Sequence, residues 1–166
     1  MLPELPPLPE GYERRMPRYQ EEAALILAGT DRAERPAQLS PETAEAWDAM
    51  RLAALSVGVG LWLVSAFRSY SYQEEILRRK LERGIPWEEI LKVSAFPGFS
   101  EHHTGRAIDI GSPSAPDLEE EFDRTAEFRW LMGHASAFGF KLSYPRDNPC
   151  GIIYEPWHWA RLSSSS

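Results

Sequence analysis

Residues 100–111, SEHHTGRAIDIG, place two adjacent histidines, a glycine and an aspartate in one short stretch. Pro97, Gly98 and Gly105 punctuate the segment SAFPGFSEHHTG, which predicts a loop. The sequence RAIDI that follows predicts a strand. This stretch therefore predicts a loop that brings a histidine to the start of a strand carrying Asp109.

Another histidine lies far along the chain, in the C-terminal segment EPWHW. The sequence GIIYEPWHWARL predicts a strand interrupted at Pro156. Zinc in a hydrolytic site usually takes three nitrogen or oxygen ligands and keeps a fourth position open for water. If the two strands lie side by side, His102, Asp109 and His158 converge, and we predict that they bind one zinc ion per chain.

Glu155, three residues before His158, is the predicted general base. Zinc lowers the pKa of its bound water from about 15.7 towards 7, so a carboxylate within hydrogen-bond reach can take the proton. We expect Pro156 to bend the segment so that the base and the ligand share one side. Cys150 is the sole cysteine, which excludes an internal disulfide and a cysteine-rich zinc knuckle. Imidazole with carboxylate therefore favours a catalytic site over a closed structural one.

The rest of the chain alternates predicted helices and short strands, with turn residues between them. The predicted elements are an extended arm over LPELPPLPEG, a helix over 19–28 that ends at Gly29, a helix capped by Ser40 with Pro41 in its first turn, a strand LWLVSAF, a helix YQEEILRRKLER capped by Ser71 and ended by Gly84, a short turn PWEEILK, a helix AEFRWLMGHASAF capped by Thr125, and a strand FKLSY.

This pattern predicts an α+β fold with a small, mostly antiparallel sheet, flanking helices and the zinc site at the sheet. The 166 residues suffice for one domain with a sizeable core. We expect residues 1–18 to form an extended proline-rich arm, residues 19–162 the catalytic domain, and residues 163–166 a frayed tail.

The net charge of −7 and the lack of a Lys/Arg cluster argue against a nucleic-acid partner. Glycine and serine interrupt the longest apolar stretch, 52–67, which is too short for the roughly 20 residues of a membrane span. The start has neither a basic n-region nor an apolar h-region. We expect a monomer that is cytoplasmic as it stands, or that belongs to the cell envelope if a leader was removed.

Three motifs in order, FRSYSYQ, SEHHTGRAIDIG and EPWHW, resemble those of the zinc D-alanyl-D-alanine carboxypeptidases of the VanY family and the L,D-carboxypeptidases of the same peptidase family. The resemblance implies the same zinc ligands and the same base. It also implies that Arg68 grips the terminal carboxylate of the substrate, with Gln73 and Ser100 lining the same pocket. A guanidinium fork suits this task, because it pairs with a carboxylate through two hydrogen bonds.

Each substrate-binding residue implied by the resemblance could instead have an ordinary structural role. Arg68 could be a salt-bridge residue at a strand end, Gln73 an exposed residue of a first helical turn, and Ser100 a residue that turns the loop. We expect His103 to point away from the metal and His134 to be a half-buried, hydrogen-bonded helix residue.

The resemblance predicts removal of the C-terminal D-alanine from peptidoglycan stem peptides or their precursors, with a D,D- or an L,D-specificity left open. Two alternatives share the same residues. One is a peptidoglycan endopeptidase or D-Ala-D-Ala dipeptidase on the same scaffold. The other is a wall-peptide binding module that keeps zinc but has lost turnover.

Overall fold

The computed structural model describes residues 1–162, and its elements are helices and short strands in alternation. The helices are α1 (Tyr12–Arg15), α2 (Pro41–Leu55), α3 (Tyr70–Glu82), α4 (Trp87–Val93) and α5 (Ala126–His134), with 3₁₀ helices at Glu101–Thr104, Glu120–Arg124 and Ala135–Phe138. The strands are β1 (Ile26–Thr30), β2 (Pro36–Leu39), β3 (Trp62–Ser65), β4 (Ala107–Gly111), β5 (Lys141–Leu142) and β6 (His158–Ala160).

A four-stranded antiparallel sheet in the order β3-β4-β6-β5 forms the centre of the molecule, and β1 and β2 form a separate antiparallel pair. The α+β class and the small antiparallel sheet predicted from the sequence are confirmed. In the pairing of β4 with β6, Asp109 lies opposite His158. Directly opposed residues point to the same face of a sheet, so this register alone places the two side chains together.

Strand β4 is buried along its whole length, because both faces of the sheet are covered. Its isoleucines, Ile108 and Ile110, are fully buried within an apolar cluster that we call the sheet cluster. The sheet cluster consists of Ala37, Leu39, Ala44, Trp47, Met50, Ala54, Leu61, Leu63, Ala66, Ile108, Ile110, Phe122, Phe128, Leu131, Ala135, Phe140, Trp157 and Trp159.

A second apolar cluster joins the N-terminal arm to α3 and α4, and we call it the arm cluster. It consists of Tyr12, Met16, Leu77, Ile90, Leu91, Ala95, Phe99, Tyr144 and Ile152. The predicted arm is mostly without regular structure, and α1 interrupts it with one helical turn. The Tyr12 hydroxyl accepts a hydrogen bond from the Phe96 amide at 2.9 Å, so the arm is part of the packed structure.

The helix predicted over 19–28 is wrong, because residues 26–30 form strand β1 instead. Before β1 the chain forms hydrogen bonds with the loop around residue 100. The Tyr19 amide donates to the Gly98 carbonyl at 2.7 Å, and the Glu22 amide donates to the His103 carbonyl at 2.9 Å. These tertiary bonds compete with the helix that the local sequence favours.

Several predicted boundaries shift. Helix α3 begins at Tyr70, because the Ser69 hydroxyl and not that of Ser71 accepts the Tyr72 amide. The sequence PWEEILK contains helix α4 instead of a turn, and the predicted loop contains a 3₁₀ helix at Glu101–Thr104. The predicted strands FKLSY and GIIYEPWHWARL shorten to β5 and β6. The predicted frayed tail, 163–166, lies outside the described residues.

No helix within residues 1–162 combines the length and the apolar character needed to cross a bilayer.

Candidate functional site

The three predicted zinc ligands meet on one face of the sheet. One ligand atom from each of His102, Asp109 and His158 lies within 4.8 Å of the other two, and all three side chains are buried. His102 Nε2 is 3.3 Å from Asp109 Oδ2, and His158 Nδ1 is 3.1 Å from Asp109 Oδ1. The β4–β6 register supplies two of these groups, and the 3₁₀ helix before β4 supplies the third.

His102 presents one ring nitrogen to the cluster, and a hydrogen bond holds its other ring nitrogen. Its Nδ1 is 2.7 Å from the Ala66 carbonyl oxygen and therefore carries the proton of that hydrogen bond. Its Nε2 is buried and has no hydrogen-bond partner in the described structure. A buried, unprotonated nitrogen without a partner is costly, and a metal ion would satisfy it. This atom is the observation that most directly fits a cation site.

His158 is oriented by a residue that the sequence did not suggest. Its Nε2 is 2.8 Å from Glu101 Oε1, which leaves Nδ1 facing Asp109. A histidine that ligates a metal commonly donates its other ring N–H to a carboxylate, which fixes the ring and makes it a stronger donor. Glu101 is buried, so this hydrogen bond is shielded from water.

The electrostatics of the cluster favour an anionic Asp109 and a neutral His102. Burial would raise the pKa of Asp109, but the neighbouring His102 and His158 outweigh it and hold that pKa well below its usual range. Burial, together with the charge of Arg68, lowers the pKa of His102 to about 4. Burial would also lower the pKa of His158, but its hydrogen bonds to Asp109 and Glu101 raise it to about 10. A divalent cation at His158 Nδ1 would take the place of a proton there.

Glu155 reaches the cluster through a tight turn. The His158 amide donates to the Glu155 carbonyl at 3.2 Å, with Pro156 as the second residue of the turn. This turn, and not a bent strand, brings the two side chains to one side, with Glu155 Oε1 3.9 Å from His158 Nδ1. Burial and the charge of Asp109 raise the pKa of Glu155 to about 8, although His158 acts in the opposite direction. Such a raised pKa is typical of a group that exchanges protons near neutral pH.

Arg68 joins the metal cluster to the wall of the site. Its guanidinium donates to Ser65 Oγ at 2.9 Å, to Gln73 Oε1 at 3.0 Å and to Asp109 Oδ2 at 3.0 Å. Arg68 is thus a salt-bridge residue, as its alternative interpretation states, and it also lines the cavity. These three bonds leave donors on the guanidinium for a further acceptor.

Gln73 and Ser100 both lie in the cavity wall. Gln73 is 1% exposed, so it is not the exposed helix residue of its alternative interpretation, and its Nε2 donates to the Ala95 carbonyl at 2.8 Å. The Ser100 hydroxyl accepts the His102 amide at 3.2 Å and caps the 3₁₀ helix. Ser100 therefore shapes the loop and borders the cavity at once.

The other two histidines lie outside the metal cluster. His103 is fully buried, with Nδ1 2.7 Å from the Arg68 carbonyl oxygen and Nε2 accepting the Gly98 amide at 3.0 Å. It therefore holds the loop against the chain at Arg68. His134 is exposed, with its ring stacked on Trp130 at 4.8 Å, so the half-buried, hydrogen-bonded environment predicted for it is wrong.

All seven predicted site residues border one cavity of about 520 Å³. The sequence did not single out three further residues of this region, Glu101, Lys80 and Tyr144. Glu101 adjoins His102 in the SEHH motif, but its contact with His158 depends on the pairing of segments far apart along the chain. Lys80 follows Gln73 by two helical turns, a spacing that could have placed it on the same helix face. The Tyr144 ring lies 4.9 Å from that of His158, and no local signal marks it.

Comparison with known proteins gives the same family as the motifs. Residues 36–163 match the profile of the family VanY, described as D-alanyl-D-alanine carboxypeptidase. The protein YodJ of Bacillus subtilis (strain 168) is 38% identical over 121 residues, which cover 70% of this chain and 44% of YodJ. The chain therefore spans less than half the length of that relative.

Two further relatives cover more of the chain. The bifunctional D-Ala-D-Ala dipeptidase and D-Ala-D-Ala carboxypeptidase VanXYC of Enterococcus gallinarum is 32% identical over 146 residues, or 84% of this chain and 74% of the relative. The solved structure of the LD-carboxypeptidase LdcB superposes with a TM-score of 0.76 at 30% identity, covering 87% of this chain and 71% of that chain.

Proposed function

We propose that this chain, which belongs to the VanY family of D-alanyl-D-alanine carboxypeptidases, is a zinc carboxypeptidase that removes the C-terminal D-alanine from peptidoglycan stem peptides or their precursors. The observation that carries the proposal is the convergence of His102, Asp109 and His158 around one point, with Glu155 beside them in the same cavity. Membership of the family supports cleavage of a D-alanyl peptide bond. The geometry of the site supports a mechanism that uses zinc and a general base.

The donor set fits zinc. The residues that would hold the ion are His102 through Nε2, Asp109 through its carboxylate and His158 through Nδ1. Two imidazoles with one carboxylate suit zinc at a catalytic site, where a position is kept open. When bound there, zinc supplies Lewis-acid polarisation of the scissile carbonyl and lowers the pKa of water.

Glu155 is the proposed proton carrier. Its carboxylate accepts a proton from the attacking water and delivers it to the amine nitrogen of the leaving D-alanine. Burial raises the pKa of this carboxylate, which helps it to hold the proton until the leaving amine takes it. The turn through Pro156 fixes its position relative to His158.

Arg68 is the proposed reader of the substrate's terminal carboxylate, with Gln73 and Ser100 beside it. Hydrogen bonds to Ser65 and Gln73 hold the guanidinium in one orientation, which lowers the entropy lost on binding. Since Arg68 also contacts Asp109, the carboxylate that it binds lies close to the metal position. This proximity suits an enzyme that removes a single terminal residue.

The experiment offers synthetic stem peptides of tetra- and pentapeptide length to the purified chain, with and without a chelator, and identifies each product by mass. We expect release of one D-alanine, its loss with chelator and its return with added zinc. Release from the pentapeptide indicates D,D-specificity, and release from the tetrapeptide indicates L,D-specificity. If neither peptide is cleaved, the proposed activity is wrong.

A peptide amidated at its C-terminus separates the carboxypeptidase from its rivals. We expect it to be cleaved far more slowly than the free acid, because the amide carries no charge for Arg68. Equal rates on both forms would support an endopeptidase instead.

Release of free D-alanine from the dipeptide D-Ala-D-Ala would add the dipeptidase activity named for VanXYC. Zinc uptake without any hydrolysis would support the binding module.

We further propose that residues 19–162 form the peptidase domain, that residues 1–18 serve as an arm packed along it, and that the chain acts as a monomer. The arm's contacts with α3 support its role, since Arg78 donates to the carbonyls of Leu2 and Pro3 at 2.8 and 2.7 Å. Light scattering of the purified chain tests the oligomeric state.

A further inference from the structure

One face of helix α3 forms a wall of the cavity. Gln73, Ile76 and Lys80 all border the cavity, and their spacing of three and four residues places them on one side of a helix. Gln73 and Lys80 are seven residues apart, which is about 10 Å along the helix axis. The wall therefore carries an amide at one end and an ammonium at the other.

Lys80 is a cation without an anionic partner. Its Nζ donates to Ser94 Oγ at 2.6 Å, and within residues 1–162 it takes part in no salt bridge. Lys92 on the neighbouring helix differs, because it is exposed and its Nζ lies 2.9 Å from Glu89 Oε1. Partial burial of Lys80 lowers its pKa and the nearby charge of Arg68 lowers it further, although the charge of Glu155, with which it forms no ion pair, acts in the opposite direction. A positive charge in this position is costly unless an anion joins it.

The ammonium lies close to the groups already assigned to the substrate. Gln73 Nε2 donates to the carbonyl of Ala95, and Lys80 Nζ donates to the hydroxyl of Ser94, the residue before it. Gln73 in turn accepts from Arg68. The two cations thus border the same cavity as the buried acids Asp109, on strand β4, and Glu155, whose charge reaches Lys80.

We propose that Lys80 Nζ binds a carboxylate of the peptide substrate, so that the cavity holds two anion-binding positions, Arg68 and Lys80. The inference rests on the proposed function. The carboxylate has two sources, the C-terminus of the peptide itself or the side-chain carboxylate of a meso-diaminopimelate residue. An exposed lysine would contribute little to the binding of either carboxylate. A partly buried ammonium held by Ser94 is oriented before the substrate arrives, so less entropy is lost on binding.

The test replaces Lys80 by Met, which keeps most of the length and apolar surface of the side chain and removes its charge. Lys92→Met makes the same charge change outside the cavity and is the matched control. We expect Lys80→Met to raise KM about 10-fold or more, the worth of a charge-assisted hydrogen bond, and to change kcat less than KM, through the loss of a charge that lowers the pKa of Glu155. Lys92→Met should leave KM unchanged, and Lys80→Arg, which keeps the charge, should recover most of the loss.

Two further peptides identify which carboxylate Lys80 binds. One is amidated at the C-terminus, and the other carries lysine in place of meso-diaminopimelate, so that it lacks the extra side-chain carboxylate. The KM difference between Lys80→Met and the unaltered chain should vanish on the peptide that lacks the carboxylate bound by Lys80. A difference that persists on both peptides, or no difference on any peptide, overturns the proposal.

A binding measurement separates this inference from the proposed hydrolysis. Calorimetry of the intact peptide with Glu155→Gln, alone and combined with Lys80→Met, reports affinity without turnover. A loss of affinity with Lys80→Met supports the inference even if the chain hydrolyses nothing. Equal affinity of the two variants overturns it, even if the chain proves to be an active carboxypeptidase. Thermal unfolding of each variant checks that the fold is retained.

Discussion

The two sides of the cavity are built in different ways. On the sheet side, Asp109 and His158 are neighbours in a backbone ladder, flanked by residues of the sheet cluster. On the helix side, Gln73, Lys80 and Ser94 depend on side-chain hydrogen bonds and on the packing of the arm cluster. The sheet side suits the proposed metal binding and proton transfer, because both demand fixed geometry. The helix side suits recognition of a variable peptide.

This contrast implies that substitutions on the two sides have separable effects. Changes on the sheet side should alter kcat and zinc affinity. Changes on the helix side should alter KM while zinc affinity stays constant. A helix-side variant that lowers zinc affinity, or a sheet-side variant that changes only KM, would show that the two sides are coupled more tightly than their contacts indicate.

The largest effect is expected for Glu155→Gln, which keeps the size of the side chain and removes its capacity to take a proton. We expect kcat to fall about 10²- to 10⁴-fold, the usual contribution of a general base. Zinc content, measured by elemental analysis, should stay at one ion per chain, because Glu155 is not among the proposed ligands. Loss of zinc together with activity would place Glu155 in the metal's coordination instead and break the assignment of its role.

The next effect is expected for Glu101→Gln, which weakens the hydrogen bond that orients His158. We expect zinc affinity to fall about 10- to 100-fold, as for other carboxylates behind a ligating histidine. Competition with a chromophoric chelator measures it, and KM at saturating zinc should hardly change. Glu119→Gln is a matched control, since Glu119 is exposed, borders the same cavity, and within the described residues its side chain forms no hydrogen bond or salt bridge. Equal zinc affinity in both variants would contradict the role of Glu101.

Much of the site was predictable because its residues carry chemistry in short motifs. His102 and Asp109 lie in one stretch, and Glu155 and His158 lie in another, so only the pairing of two strands had to be assumed. Glu101 could not be recognised in the same way, because a glutamate beside a histidine is ordinary until the fold shows which ring it contacts. Lys80 is similar, since its sequence neighbours, Arg78, Arg79 and Glu82, are those of a solvated helix face.

Two of the failed predictions, the helix over 19–28 and the cap of α3, have a common physical cause. The helix over 19–28 was inferred from local propensity, but the hydrogen bonds of Tyr19 and Glu22 with residues 98 and 103 are tertiary. The cap of α3 was assigned to Ser71, although Ser69 is as suitable locally, and only the loop leading from β3 decides between them. Propensity reflects only the residues nearby in the sequence, whereas these two structures depend on hydrogen-bond partners and loops elsewhere in the chain.

The smallest effect is expected for Tyr12→Phe on the helix side. It removes the hydroxyl that accepts the Phe96 amide, in the segment that also carries Ser94 and Ser100. We expect the free energy of unfolding to fall by about 1 kcal/mol. If a comparable 0.5–1 kcal/mol is lost from substrate binding, KM rises about twofold to fivefold, while zinc affinity and kcat stay constant.

Thr125→Val is the control for Tyr12→Phe, because it removes a helix cap at α5 that costs about 1 kcal/mol and touches neither side of the cavity. Denaturant unfolding measures the stability of both variants, and steady-state kinetics measures their KM. An equal rise in KM for both variants would mean that general destabilisation, and not the arm, affects substrate binding. A rise confined to Tyr12→Phe shows that the arm supports the helix side of the cavity, since of the two hydroxyls removed only that of Tyr12 bonds to the segment that carries Ser94 and Ser100.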